Sequence, residues 1–244
     1  MIKNNIRKFI KKIRKLFVKN EEALLLTREI EWANYYHDSI RGIDFIEKLN
    51  LNIGRWAGNY TFFYLLNRIL REYKPSKIIE FGLGESSKFI SKYIENELEE
   101  TQHLVVEQSF EWKNVFLDKF ELSKNSKVEI CEITEINVKG NQVKSYSNIE
   151  KFCNQKFDLY IVDGPFGSLK YSRYDIVKLV KNLSIEDEFI IIMDDYDRMG
   201  EKETTNDLLE LFKNKKIPIH MSVYEGKKSV AVISTNKYKY TTSM

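Results

Sequence analysis

Only two cysteines, three histidines and three prolines occur in 244 residues, and there are just ten glycines. Cys131 and Cys153 stand alone, and His37, His103 and His220 share no metal-ligand spacing, which excludes zinc ribbons, H-E-x-x-H metalloproteases and C-x-x-C redox sites. The low Gly and Pro content excludes collagen-like and low-complexity chains. No apolar run exceeds five residues, Phe189–Met193 being one, far short of the roughly 20 a bilayer span requires. A chain of this length buries roughly three quarters of the surface it exposes when unfolded, so it needs neither disulfide nor structural metal.

Net charge is +3, but its distribution is uneven. The first 20 residues hold eight basic side chains (Lys3, Arg7, Lys8, Lys11, Lys12, Arg14, Lys15, Lys19) and no acidic one. Of 39 basic residues 31 then remain against all 36 acidic ones, so the body carries −5. At about 100° per residue, Ile2, Ile6, Phe9, Ile10, Ile13, Leu16 and Phe17 fall on one face of a helix and the basic residues on the rest. No continuous apolar segment follows the charges, so this is not a signal peptide. Two readings stay open: residues 1–19 lie on an anionic membrane surface, or the helix packs on its own domain or a partner subunit. The acidic body offers no second basic patch, which argues against nucleic acid.

Residues 21–74 read as a helical extension, with Trp32, Tyr35, Tyr36, Ile40, Ile43 and Ile46 at near-helical spacing and a second helix from about Tyr60 to a stop at Pro75. Between them, Arg55 and Trp56 in a Gly-bounded turn have the chemistry of a substrate lid or of a plain helix anchor. From residue 75 to 244, short apolar runs alternate with helical stretches, the pattern of βα units on a parallel sheet. Strands are expected at 77–82, 102–107, 127–133, 157–162 and 189–193, with helices at 86–99, 109–122, about 172–182 and 202–214. Two further strands at 217–224 and 228–234 form a hairpin, and 138–143 reads as a small inserted hairpin. The expected fold is α/β: a Rossmann-like, doubly wound sheet of seven strands closed by a C-terminal antiparallel hairpin, behind residues 1–20 and 21–74.

The first strand ends Glu80-Phe81-Gly82-Leu83-Gly84-Glu85-Ser86-Ser87 and enters a helix. The glycines let the backbone turn tightly beside a ligand, and the helix N-terminus presents free N–H groups. A dinucleotide site would want a third glycine at position 87, where Ser87 stands, and Glu80 would repel a pyrophosphate. An acid there suits an ammonium group, and Glu107, ending the second strand, is placed to accept from two ribose hydroxyls. An acid, a G-x-G turn and a second acid at successive strand ends resemble the class I S-adenosylmethionine-dependent methyltransferases over about 77–234. The resemblance implies S-adenosylmethionine as donor, its methionine part among Glu80, Gly82, Gly84, Ser86 and Ser87 and its ribose on Glu107. Glu132-Ile133-Thr134-Glu135 departs from the family's adenine-binding pattern, and the adenine contact stays unassigned.

The fourth strand ends Val162-Asp163-Gly164-Pro165 and the fifth Met193-Asp194-Asp195-Tyr196, so Asp163, Asp194 and Asp195 are expected to converge at the carboxyl ends of the strands. Three close carboxylates need neutralising, and a hard divalent ion such as Mg²⁺ would do so; the alternative is that they cap turns and helices. The pattern is similar to that of metal-dependent O-methyltransferases of the catechol and macrolide-sugar types. It implies catalytic roles for Asp163 and Asp194, with Asp163 also at the donor, and Lys170, Tyr171 or Arg173 orienting or deprotonating the acceptor. The Asp-Gly-Pro stretch resembles that of sugar- and polysaccharide-directed methyltransferases, which implies O-methylation of a small-molecule or glycan acceptor, in the cytoplasm and at the inner face of a membrane where residues 1–19 bind it. Homo-oligomerisation is left open. The competing readings are a glycosyltransferase using Asp195-Tyr196-Asp197 as a metal-binding D-x-D and a non-catalytic, membrane-associated binding protein.

Overall fold

The structure, a computed structural model, describes residues 2–54 and 57–244. Arg55 and Trp56, read as a substrate lid or a helix anchor, lie outside the described residues.

Seven strands form one sheet: β1 (Lys77–Phe81), β2 (Gln102–Glu107), β3 (Ser126–Ile130), β6 (Leu159–Val162), β7 (Ile190–Met193), β8 (Ile219–Glu225) and β9 (Ser229–Thr235), in the order β3-β2-β1-β6-β7-β9-β8. Pairing is parallel from β3 to β7, and β9 runs antiparallel to both β7 and β8. Strand order reverses between β1 and β6, where a doubly wound sheet opens a ligand crevice. The inserted hairpin is β4 (Ile133–Val138) and β5 (Asn141–Tyr146), outside the main sheet and turning at Lys139-Gly140. The third strand is therefore shorter than expected: it stops at Ile130, and Ile133 already belongs to the hairpin.

Both faces of the sheet are covered, so β6 and β7 are buried at every residue. Alternation splits the core: Ile190 and Ile192 point to one side, Ile191 and Met193 to the other. The first side packs under α3 (Tyr60–Tyr73), α4 (Glu85–Asn96) and the end of α1 (Ile2–Ile40), through Phe62, Leu66, Phe89 and Tyr36. The second side packs under α6 (Asp175–Leu179), α7 (Met199–Asn214) and β5. Each such fully buried side chain contributes about 1.5–3 kcal/mol. Among the described side chains of the first half of α1, Ile10, Leu16 and Phe17 are without such cover, at 57%, 54% and 65% exposed. The helix crosses residue 20 without a break; α2 (Asp44–Glu47) follows it, and α5 (Phe110–Leu117) lies between β2 and β3.

Local chemistry sets the boundaries. The Asn59 side chain accepts from the N–H of Phe62 and starts α3, which Lys74, in the left-handed region at φ 45°, and Pro75 end. Ser109 caps α5 through the N–H of Trp112 at 3.0 Å. The helix expected over 172–182 is reduced to α6 and a short 3-10 turn, because Tyr171 and Arg173 take positive φ (49° and 59°) and turn the Arg173 side chain toward the sheet.

Asp175, at the start of α6, is fully buried and accepts from Ser145 Oγ (2.5 Å) and the N–H of Tyr146 (3.3 Å), tying α6 to β5. Burial pushes its carboxyl up to about 6 against the opposing pull of Ser145 and Lys178. With the folded value above the unfolded one, the folded state holds the proton longer, so this group's support is full below about pH 4 and falls as pH rises through about 6. Asp175→Asn removes that titration. Urea unfolding should find the variant gaining on the native chain by about 3 kcal/mol between pH 4 and pH 7.5; a difference independent of pH would contradict the assignment.

Candidate active site

The β1–α4 turn passes so close to the β6 turn that both need glycine. Gly82 has φ +96°, and a Cβ there would sit 3.5 Å from the Asp163 carbonyl; a Cβ on Gly164 would meet the Gly82 nitrogen at 3.1 Å and collide with the Tyr146 hydroxyl. Gly84 precedes α4, and its N–H donates to Ser87 Oγ at 3.0 Å. The G-x-G turn thus lies against the start of the Asp163-Gly164 turn, at the point where strand order reverses.

Glu80 is fully buried beneath this turn, where Ser86 Oγ and Ser87 Oγ (2.7 Å) donate to its two oxygens and His103 Nε2 faces it at 3.1 Å. It holds the turn from below, with both oxygens already accepting a bond. Ser86 and Ser87 are committed to it. Glu107 is 2% exposed; it accepts from the N–H of Leu83 (2.9 Å), Gln108 (2.8 Å) and Ser109 (2.8 Å), tying the G-x-G turn to the end of β2. Trp112 Nε1 donates to the Leu83 carbonyl at 2.7 Å and places its indole beside the same turn.

Across the crevice, one carboxylate oxygen from each of Asp163, Asp194 and Asp195 lies within 4.8 Å of the others. The convergence expected of them is present. Asp194 and Asp195 do not cap α7, whose N-cap is Arg198 and which has no side-chain capping bond there. Instead the site carries its own cations. Arg173 Nη2 donates to Asp163 Oδ1 (3.1 Å) and Asp195 Oδ2 (2.7 Å), while its Nη1 donates to the carbonyls of Val162 (3.1 Å) and Asp194 (2.9 Å). Lys228, from the start of the β8–β9 turn's return strand, brings Nζ to 3.2 Å from Asp195 Oδ1 and 3.8 Å from Asp194 Oδ2. Arg198 reaches Asp195 Oδ2 at 2.9 Å, and Glu201 lies 3.7 Å from Arg173 Nε.

These charges sort the carboxylates. Burial and then Asp194 push the Asp163 carboxyl well above the usual range, and burial and then Asp195 raise Asp194. Burial also works on Asp195, but Arg173, Lys228 and Arg198 together hold it low. Both oxygens of Asp194 are buried without a hydrogen-bond donor, as are Oδ1 of Asp195 and both oxygens of Glu201. Unsatisfied anionic oxygens in this position suit a hard divalent ion, so Asp163, Asp194 and Asp195 fit such an ion in donor chemistry.

Lys170 is not at the aspartates: its Nζ lies 3.9 Å from Glu203 on α7, and it lines a surface cavity of about 430 Å³ with Glu135, Asn141, Gln142, Lys144 and Ser168. Tyr171 packs at 6.1 Å, edge to face, on Tyr174. Lys228 is the lysine that the fold delivers. The expectation stopped at the hairpin, yet a strand antiparallel to β7 must begin beside the carboxyl end of β7, as the pairing of Met193 with Ala231 places it.

No protein-family model matches the chain, and no curated protein sequence does. Solved structures do. The chain is similar to the O-methyltransferase TomG from Streptomyces achromogenes, involved in tomaymycin synthesis and solved in complex with SAM, at 11% identity and TM-score 0.54, covering 88% of this chain and 98% of that one. It is similar to an O-methyltransferase from Bacillus cereus in complex with SAH, at 10% identity and TM-score 0.53 over 88% and 100% of the two chains. A putative O-methyltransferase from Klebsiella pneumoniae matches at 13% and 0.50 over 86% and 90%. The chain has the fold of the class I S-adenosylmethionine-dependent methyltransferases.

Arg173 neutralises Asp163 and Asp195 and joins the ends of β6 and β7. Arg173→Met should cost about 3–5 kcal/mol by stranding buried charges, and Arg173→Lys should restore only part of it, since an ammonium cannot span two carboxylates and two carbonyls. Chemical denaturation measures both. A loss under about 1 kcal/mol would show the network to be solvated.

Proposed function

We propose that this chain is an S-adenosylmethionine-dependent O-methyltransferase acting on a sugar, polysaccharide or glycolipid precursor. The observation that carries the reading is the juxtaposition at the strand-order reversal: the G-x-G turn and Glu107 on one side, Asp163 with Asp194 and Asp195 on the other. When bound, S-adenosylmethionine supplies a sulfonium methyl whose C–S bond breaks as a C–O bond forms to the acceptor, leaving S-adenosylhomocysteine. Amides at the α4 N-terminus bind the amino-acid end, and Glu107 turns an oxygen from the Leu83 amide to the ribose. Asp163 is the most open of the three aspartates and is the one placed to take the acceptor's hydroxyl proton.

Asp194 and Asp195, with Asp163 beside them, would hold Mg²⁺, which supplies a lowered pKa to a neighbouring hydroxyl. The cavity between the β4–β5 hairpin and residues 167–170 has amide, hydroxyl, ammonium and carboxylate groups, with Phe166, 61% exposed, beneath its Lys144, a lining that suits a polyol. This reading accounts for Glu107 and the glycine turn, which a D-x-D glycosyltransferase leaves without a role.

Calorimetry of the full chain should detect S-adenosylhomocysteine binding, and a folded Glu107→Ala variant should bind more weakly by about 1.5–3 kcal/mol. Failure of the native chain to bind, with UDP-sugar binding in its place, would overturn the reading in favour of glycosyl transfer.

We further propose that residues 1–19 lie on an anionic membrane and bring the site to lipid-linked acceptors; their eight basic residues and the exposed Ile10, Leu16 and Phe17 support this. The chain should sediment with phosphatidylserine vesicles at low salt, and neutralising Lys11, Lys12, Lys15 and Lys19 to Gln should abolish it. Absence of sedimentation would assign the helix to a protein contact.

A further inference from the structure

The 225–228 turn is gripped from outside by three residues on two successive turns of α1. Arg28 pairs with the Glu225 carboxylate, Trp32 Nε1 donates to the Glu225 carbonyl at 2.9 Å, and Glu29 Oε2 accepts from the N–H of Lys227 at 2.9 Å. Glu29 also accepts from Asn59 Nδ2 (2.8 Å) and the N–H of Tyr60 (2.8 Å), so the same carboxylate anchors the start of α3. The residue after this grip is Lys228, with only 19% of its side chain exposed and its ammonium beside the oxygens of Asp194 and Asp195 that lack a hydrogen bond.

We propose that Lys228 is a resident counter-ion of the acidic crevice, in competition with a divalent cation for the oxygens of Asp194 and Asp195, and that Glu29 is the positioning residue that holds it there through the turn. The inference rests on the reading that those aspartates take a divalent ion. Two positive charges of this kind do not share the same two carboxylates: a divalent ion on Asp194 and Asp195 repels the ammonium 3–4 Å away. Binding therefore includes expelling Lys228. The apparent metal affinity falls by the fraction of molecules in which the lysine is already withdrawn, and the grip of α1 sets that fraction. Arg173, fixed by two carbonyls as well as two carboxylates, stays in place, while the Lys228 ammonium, whose one contact besides the aspartates among the described residues is the Ala57 carbonyl at 3.5 Å, gives way.

The experiment is a Mn²⁺ titration of the full chain, followed by calorimetry and by melting in chelator and in Mn²⁺. Lys228→Met should bind Mn²⁺ about tenfold more tightly or better than the native chain, melt lower in chelator, and regain more stability from the metal. Glu29→Gln, which leaves Lys228 in the chain, should shift affinity the same way by a smaller factor; damage to the fold would weaken binding, so a gain separates positioning from general disruption. Mn²⁺ affinity unchanged or weaker in both variants, with the native chain binding, overturns the competition and leaves the metal reading standing. No Mn²⁺ binding by any of the three overturns both, while S-adenosylhomocysteine binding reports separately on the donor site.

Discussion

A single guanidinium holds the crevice together. Arg173 joins the last carbonyls of two adjacent parallel strands, Val162 on β6 and Asp194 just beyond β7, and at the same time neutralises Asp163 and Asp195. Without it, carboxylates packed within 4.8 Å of one another at the end of a sheet with no solvent on either face would repel and open the strand ends. The reversed backbone at Tyr171 and Arg173 follows from this demand. A helix continuing from residue 172 would carry the arginine away from the sheet, and two residues at positive φ are the local cost of bringing it back.

The donor side also buries carboxylates, and satisfies them with hydroxyls and amides. Glu80 lies under the G-x-G turn and accepts from the Ser86 and Ser87 hydroxyls, while Glu107 lies beside it and accepts from the Leu83 amide of that turn and from the Gln108 and Ser109 amides of its own. Between the two sides, α1 is more than an appendage. Its exposed basic half and its packed half are one helix, and the packed half grips the turn that delivers Lys228.

Much of this was legible in the residues. The alternation of short apolar runs and helical stretches located every strand of the sheet, since β6 and β7 are buried on both faces and read as unbroken apolar runs, and Lys139-Gly140 marked the inserted hairpin. The convergence of Asp163, Asp194 and Asp195 followed from strand ends alone. What stayed hidden depends on pairing rather than on local pattern. Lys228 meets Asp195 because β9 runs antiparallel to β7, and Lys170, nearer to Asp163 in sequence, is drawn off to Glu203. Arg173 was visible only as one of three polar residues after a turn, because nothing local announces a left-handed arginine. The neighbours of Glu80 were hidden too, since the two serines six and seven residues on and a histidine on the adjacent strand reach it only once the turn has folded.

The most direct measurement is a crystal structure of the full chain with S-adenosylhomocysteine. The account predicts the amino-acid end over Gly82–Gly84, the ribose on Glu107, the sulfur directed toward Asp163, and Arg173 still bridging Asp163 and Asp195. A ligand bound elsewhere, or one seated in the crevice only after Arg173 has left the aspartates, would contradict it.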